Sequence, residues 1–396
     1  MSVVPPFARR IPYSAIASRQ RIGLVSTYPP KICGLATFAA ALEVGLIEAG
    51  HRVDVVRIDE GDDPATIERP VAAELVHGKP ASIRKAAAVL SRCDVAVIKH
   101  EYGIYGGADG EEVVDLLRAI EVPTIVVLHT VPLAPTPHQR SLLATIARMA
   151  DRVVVMTRTA HDRLVASYPI DRAKLVTIPH GAANPTAHQL AAVADAVGRP
   201  QLLTWGLLGP GKGIEHAIDA LALLGDLPRR PRYTVAGVTH PKVYARHGDA
   251  YRRSLITRML AGGVAASVTF DDTYRDLPEL TGFVASASVV MLPYDSRDQV
   301  TSGVLVDAIA AGRPVIATAF PHAVELLASG AGIVVPHGDP QALADAIRSV
   351  VSDGDRLASM VAEATRLAPS LSWSSVAAQY ASLSDELLRT CQPVAM

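Results

Sequence analysis

Between Leu292 and Ala317 the chain reads L-P-Y-D-S-R-D-Q-V-T-S-G-V-L-V-D-A-I-A-A-G-R-P-V-I-A. An apolar run, Ala287 to Pro293, predicts a buried strand, and a polar loop, Asp295 to Gln299, follows it. Thr301 and Ser302 offer N-cap hydroxyls for a helix from Gly303 to Ala311, and Gly312 stops it. A helix start has unsatisfied N–H groups and binds anions, and glycine at its first turn lets a phosphate come close to the backbone. The chemistry that fits is the holding of a nucleotide-sugar diphosphate, with Gln299 towards the sugar and Asp307 towards the ribose.

A second stretch has the same character. The apolar run Leu202 to Trp205 leads into G-L-L-G-P-G-K-G, residues 206–213, and then a helix over 214–223. Lys212 among Gly209, Gly211 and Gly213 at a helix start predicts a phosphate cradle. It is not a P-loop, because no Ser or Thr follows the lysine. The plain alternative is a glycine-rich turn with a solvated lysine.

The first half has three loops of interest, each after a predicted strand. Ile22 to Ser26 is followed by Tyr28-Pro29-Pro30 and by Lys31-Ile32-Cys33-Gly34-Leu35, ahead of an alanine-rich helix over 36–49. Open α/β sheets bind ligands at such strand ends, though Gly34 also suits an ordinary turn. Val95 to Ile98 runs into H-E-Y-G-I-Y-G-G-A-D-G. There His100, Glu101, Tyr102, Gly106 and Gly107 could grip a hydroxyl-rich ligand or form a glycine-rich turn around a packed tyrosine. Thr124 to Leu128 ends at His129, a site position or a core imidazole.

Several features carry less. Asp59, Glu60, Asp62 and Asp63 read as a solvated acidic loop, with metal binding the alternative, and no residue group stands out as a divalent-cation site. Asp271, Asp272, Thr273 and Tyr274 follow a strand end where a nucleoside base could sit. Glu325 reads as a surface helix acid. The tail, 372–390, predicts an amphipathic helix with Trp373, Val376, Tyr380 and Leu383 on one stripe, which needs a partner in the first domain.

Composition sets the frame. The 396 residues suffice for two cores, and 49% hydrophobic with 19% charged residues describes a globular chain. A net charge of -1 argues against a nucleic-acid partner. No apolar run reaches the ~20 residues that span a bilayer. Met1 to Gln20 lacks a signal-peptide core, and Cys33, Cys93 and Cys391 have no paired spacing, so a reducing cytoplasm is expected. The alternative adds peripheral membrane contact through Arg9, Arg10, Arg19 and Arg21. The expected layout is an α/β chain with an N-terminal arm (1–20), a Rossmann-like acceptor domain (21–185), a Rossmann-like donor domain (186–370) and a C-terminal helix (371–396) returning to the first domain. The connection falls within 182–200, whose Pro, Gly and Ala carry no strong apolar pattern. Oligomeric state leaves no mark in the sequence.

The motifs together, S-T-Y-P-P-K-I-C-G-L-A-T-F near the start, H-T-V-P at 129–132, I-P-H-G at 178–181, G-P-G-K-G at 209–213 and the 299–314 segment, carry a family resemblance. Residues 21–390 resemble the retaining glycosyltransferases of family four, with the two-domain GT-B fold, and bacterial mannosyltransferases among them. The resemblance implies a nucleoside-diphosphate sugar donor, GDP-mannose ahead of UDP-glucose, no cofactor or metal, and a sugar-containing or glycolipid acceptor. It implies catalytic roles for His129, Lys212, Gln299 and Asp307. The donor would meet Gly34, Leu35, Gly209, Gly211, Lys212, Thr301, Ser302, Gly303, Val304 and Asp307. The acceptor would lie near Tyr28, His100, Glu101, Tyr102, Gly106 and Gly107. Two features depart from the family pattern: Leu207 stands where an arginine is usual, and Gln299 with Asp307 replaces a pair of glutamates. An amide bonds hydroxyls but is neither base nor nucleophile. A sugar-nucleotide epimerase of the same fold and a non-catalytic nucleotide-sugar binder are the competing readings.

Overall fold

The computed structural model describes residues 19–61, 68–189, 198–273 and 275–391. Arg9, Arg10, Asp62, Asp63 and Tyr274, most of the expected arm and the middle of the expected connection lie outside these residues.

Short apolar runs alternating with helices predict parallel sheets covered on both faces. Two such sheets form. The first contains β1 (Arg21–Ser26), β2 (Arg52–Asp59), β3 (Val71–Val76), β4 (Val95–His100), β5 (Thr124–Leu128), β6 (Arg152–Val155) and β7 (Leu175–Thr177), in the order β3-β2-β1-β4-β5-β6-β7. The second contains β8 (Gln201–Trp205), β9 (Arg232–Ala236), β10 (Val268–Asp271), β11 (Val289–Leu292), β12 (Val315–Thr318) and β13 (Gly332–Val335), in the order β10-β9-β8-β11-β12-β13. Every strand pair is parallel. The strand order reverses beside β1 in one sheet and beside β8 in the other, and ligand crevices open at such switch points. β3 has no counterpart in the sequence reading. It is an edge strand with a charged residue, Glu74, and alternating burial, so its apolar signal is half that of a central strand.

The first sheet carries α1 (Gly34–Glu48), α2 (Pro80–Leu90), α3 (Glu112–Ala119), α4 (Pro137–Met149) and α5 (Arg158–Ser167). The second carries α6 (Ile214–Ala222), α7 (Pro241–His247), α8 (Ala250–Ala261), α9 (Leu277–Ala285), α10 (Gly303–Ala310), α11 (Pro321–Leu327), α12 (Pro340–Val351) and α13 (Gly354–Leu371). The last helix, α14 (Trp373–Cys391), returns to the first sheet. Local chemistry starts these helices: Thr136 and Gln139 close a capping box on α4, and Thr157 accepts from the Ala160 N–H to begin α5.

The tail stripe finds its partner on α1. Val376, Tyr380 and Leu383 share a core with Phe38, Leu42 and Leu46, and with Ile22, Val97 and Val127 of the sheet. Gly45 permits the approach, since a Cβ there would lie 3.1 Å from the Trp373 carbonyl oxygen. Phe38 is the hub. Its ring meets Trp373 edge-on at 4.8 Å, His180 at 4.7 Å and His129 at 5.1 Å, and the Lys99 Nζ lies 3.1 Å from its centroid. Phe38→Ala should therefore cost about 3–5 kcal/mol, as buried aromatic truncations do. Urea unfolding of the two proteins measures it.

Candidate active site

The loop after β8 builds the first part of the site. A Cβ at Gly213 (φ 63°) would collide with the Pro293 carbonyl, so only glycine lets this turn lie against the end of β11. Gly211 (φ 89°) has open space where a side chain would project. Lys212 is held between them, its Nζ 4.5 Å from the centroid of the Tyr294 ring. Burial lowers its pKa, and no carboxylate contributes to offset that. A desolvated cation without a counter-ion favours an arriving anion.

The loop after β11 builds the second part. Ser302 is the N-cap of α10 and accepts from the Leu305 N–H at 3.3 Å. Its own N–H donates to His322 Nδ1 at 2.9 Å. Gly303 and Val304 occupy the first helical turn, where no intrahelical carbonyl can meet their N–H groups. The Thr301 hydroxyl is buried without a partner. Gln299 donates from its amide to the Thr301 carbonyl at 3.0 Å. Asp307, one turn into α10, lines a recess with Ala183, Leu277, Leu280, Thr281 and Val284. Burial raises its pKa to about 7.

The sequence reading assigned no role to His180, yet this residue abuts the start of α10. A Cβ at Gly303 would lie 3.0 Å from His180 Nε2, so the glycine makes room for an imidazole. His180 Nδ1 lies 2.7 Å from the Gly181 carbonyl, so Nδ1 carries the proton and Nε2 faces α10 as an acceptor. Burial takes its pKa down to about 3, and that of His322 to about 4. The signal was present as the I-P-H-G motif, but a motif does not say which element an imidazole will face.

On the first sheet His129 ends β5 beside Phe38, with Nε2 buried and unpartnered. Burial first, then the charge of Lys99, hold its pKa well below the usual range. Lys99 is fully buried on β4, unpartnered, with its pKa well below that of an ordinary lysine. The sequence reading passed over Lys99, although a lysine inside V-A-V-I-K-H is a visible exception to an apolar strand. Gly34 has open space about it at the start of α1, and the Cys33 thiol accepts from the Ala36 N–H; Leu35 packs on the sheet's core.

Several expected acceptor residues are structural. His100 is fully buried against Tyr102, so it cannot reach an acceptor. Tyr28 is 8% exposed and belongs to the α1 core, its hydroxyl 3.5 Å from Glu43. Glu101 accepts from Thr130 and from the Tyr102 N–H. The backbone of Gly106 bonds Glu112 at 3.1 Å, and side chains at Gly106 and Gly107 would strike Glu112 and Glu111. These glycines admit carboxylates of the same chain, which is why the loop looked like a ligand site.

Glu325 also needs correcting. It leaves the surface of its own half and accepts from the Arg158 and Thr159 N–H groups at the start of α5, each at 2.8 Å. Among the described residues one group, Glu215, His216 and Asp295, brings three potential metal ligands within 4.8 Å of one another. All three already have partners: Glu215 accepts from Tyr251, and His216 and Asp295 pair with each other at 3.3 Å. Near the expected base position, Asp271 is held at about 2 chiefly by Arg275, which also covers Phe283.

Residues 32–183 match the family Glycosyltransferase Family 4, and residues 199–353 match Glycosyl transferases group 1. A glycosyltransferase model thus matches each half of the chain, and the fold is GT-B. Among curated relatives, the D-inositol 3-phosphate glycosyltransferase of Kineococcus radiotolerans is 28% identical over 62% of this chain and 59% of its own length. The enzyme of that name from Corynebacterium kroppenstedtii is 27% identical over 69% of this chain and 64% of its own. The chain thus spans about three fifths of the length of these relatives. In structure it resembles Anabaena HepE solved with UDP (TM-score 0.71, 18% identity, 93% of this chain and 100% of that one). It also resembles sucrose-phosphate synthase from Thermosynechococcus elongatus (TM-score 0.72, 19% identity, 94% and 100%). No helix among the described residues is long and apolar enough to cross a membrane.

Asp307 gives a pH test of the site. Its folded pKa of about 7 lies above the ordinary 3.8, so the folded form holds its proton more tightly than the unfolded chain. The stability this adds is complete below about 4 and is lost as pH rises to about 7. Asp307→Asn should gain stability over the native protein across that window, read from urea unfolding at several pH values.

Proposed function

We propose that this chain transfers a hexose from a nucleoside-diphosphate sugar to a hydroxyl-bearing acceptor, with retention of configuration. One observation carries the reading: a half-buried lysine with no counter-ion among the described residues and an open helix N-terminus follow β8 and β11, which are adjacent in the sheet. The leaving diphosphate gains charge as its bond to the sugar breaks. Lys212 and the N–H groups of Gly303 and Val304 stabilise that charge without reorganising. Asp307 accepts from the ribose, and Gln299 accepts from the sugar hydroxyls through its amide oxygen, which the N–H bond to Thr301 leaves available. The acceptor oxygen bonds the anomeric carbon on the face the diphosphate leaves, and a departing phosphate oxygen takes its proton. His129 and His180, held neutral, line the sugar side without repelling a cationic transition state.

The family resemblance favours GDP-mannose. The relatives' names speak instead for a phosphorylated polyol acceptor and do not name a mannosyl donor. UDP, bound in the HepE structure, is the competing nucleotide. A non-catalytic nucleotide-sugar binder is the second reading, favoured by the amide at Gln299 and its internal bond.

A thermal-shift series with GDP, UDP and their sugars tests the nucleotide, since a ligand of the folded state raises apparent stability. Lys212→Ala should then lower transfer roughly 10²-fold or more, as loss of one preorganised charge contact does. Full activity in that variant refutes the cradle.

A further inference from the structure

We propose that Asp298 and Glu325 are positioning residues, through which the first half of the chain sets the loop that holds Gln299. This rests on the donor reading above. Gln299 belongs to the second half by sequence, yet both of its neighbours are held by the first. Asp298 pairs with Arg163 of α5 and accepts from the Leu133 N–H at 3.0 Å. The carbonyl of Val300 accepts from the Thr157 hydroxyl at 3.0 Å. The Val300 side chain is 3% exposed and lies in the first half's own core, with Val126, Leu128 and Val131.

Glu325 completes the grip one helix away. Its carboxylate takes the Arg158 and Thr159 N–H groups and the Thr159 hydroxyl, each at 2.8 Å. An acid at a helix N-terminus meets both unsatisfied donors and the positive end of the helix dipole. Here the helix and the acid come from different halves. The same α11 places His322, whose ring accepts from Ser302 and whose N–H donates to the Gln299 carbonyl at 3.3 Å. Thr157, Arg158, Thr159 and Arg163 on one side therefore meet Asp298, Val300 and Glu325 on the other, with Gln299 between them. The donor loop takes this shape only while the halves are together. Nucleotide capture by Lys212 and α10 needs no such contact, because both belong to the second half. Closure and sugar positioning are thus one event, and diphosphate binding is another.

Glu325→Ala and Asp298→Ala test this in the full chain, with Glu325→Gln as a milder variant and Thr159→Val as the partner change. Expected are GDP or UDP affinity within about threefold of native, kcat lowered roughly 10–100-fold, as displacement of a positioning group by about an ångström does, and a larger radius of gyration by small-angle scattering. Glu325→Gln, keeping one acceptor oxygen, should fall between. Adding Thr159→Val to Glu325→Ala should cost nothing further, because coupled partners are not additive. Unchanged kcat, or parallel loss of kcat and nucleotide affinity, overturns the proposal. If the native chain binds neither nucleotide and transfers nothing, the donor reading fails instead. The radius then decides the grip alone, and no expansion in either alanine variant overturns it.

Discussion

The two halves are tied together at the backbone of Ala182. The chain leaves the first sheet there and meets its own later passage back from the second. The Ala182 N–H donates to Leu371 at 2.8 Å, and the Trp373 N–H donates to Ala182 at 3.1 Å. Gly181 makes the meeting possible, since any Cβ would run into the Trp373 indole. A pair of backbone bonds beside this half-buried ring holds the two passages of the chain together. Trp373, Phe38, His180 and His129 pack edge-on or tilted around this point.

Electrostatics follows from that packing. Burial keeps His129, His180 and His322 neutral, lowers Lys212 and raises Asp307. These side chains thus carry few full charges where burial makes an unpaired charge costly. A diphosphate would supply the missing partner for Lys212, and two free N–H groups at α10 would take its oxygens. Lys99 is the exception. It lies beneath this layer, against an aromatic face and away from carboxylates, with its ammonium form strongly disfavoured.

Much of this was legible in the residues. The strand–loop–helix units at 202–223 and 289–318, the glycine turn that carries Lys212 and the Ser302 cap all depend on neighbours within a few positions. So does the stripe of Trp373, Val376, Tyr380 and Leu383, because helical periodicity needs nothing beyond the helix. The first-half loops misled for a related reason. Glycine at 106 and 107 signals close approach, but sequence does not say whether a ligand or Glu112 does the approaching.

The sequence by itself determined two sets of parallel strands, the positions of their carboxyl-end loops, and which loops carry groups suited to a diphosphate. Only the tertiary structure decided that Glu325 caps a helix of the other half, that Val300 enters the other half's core, and that His180 lies against Gly303. These contacts join residues more than a hundred positions apart. Local propensity and periodicity act over one or two turns, so such pairings appear only once both sheets have closed around their cores.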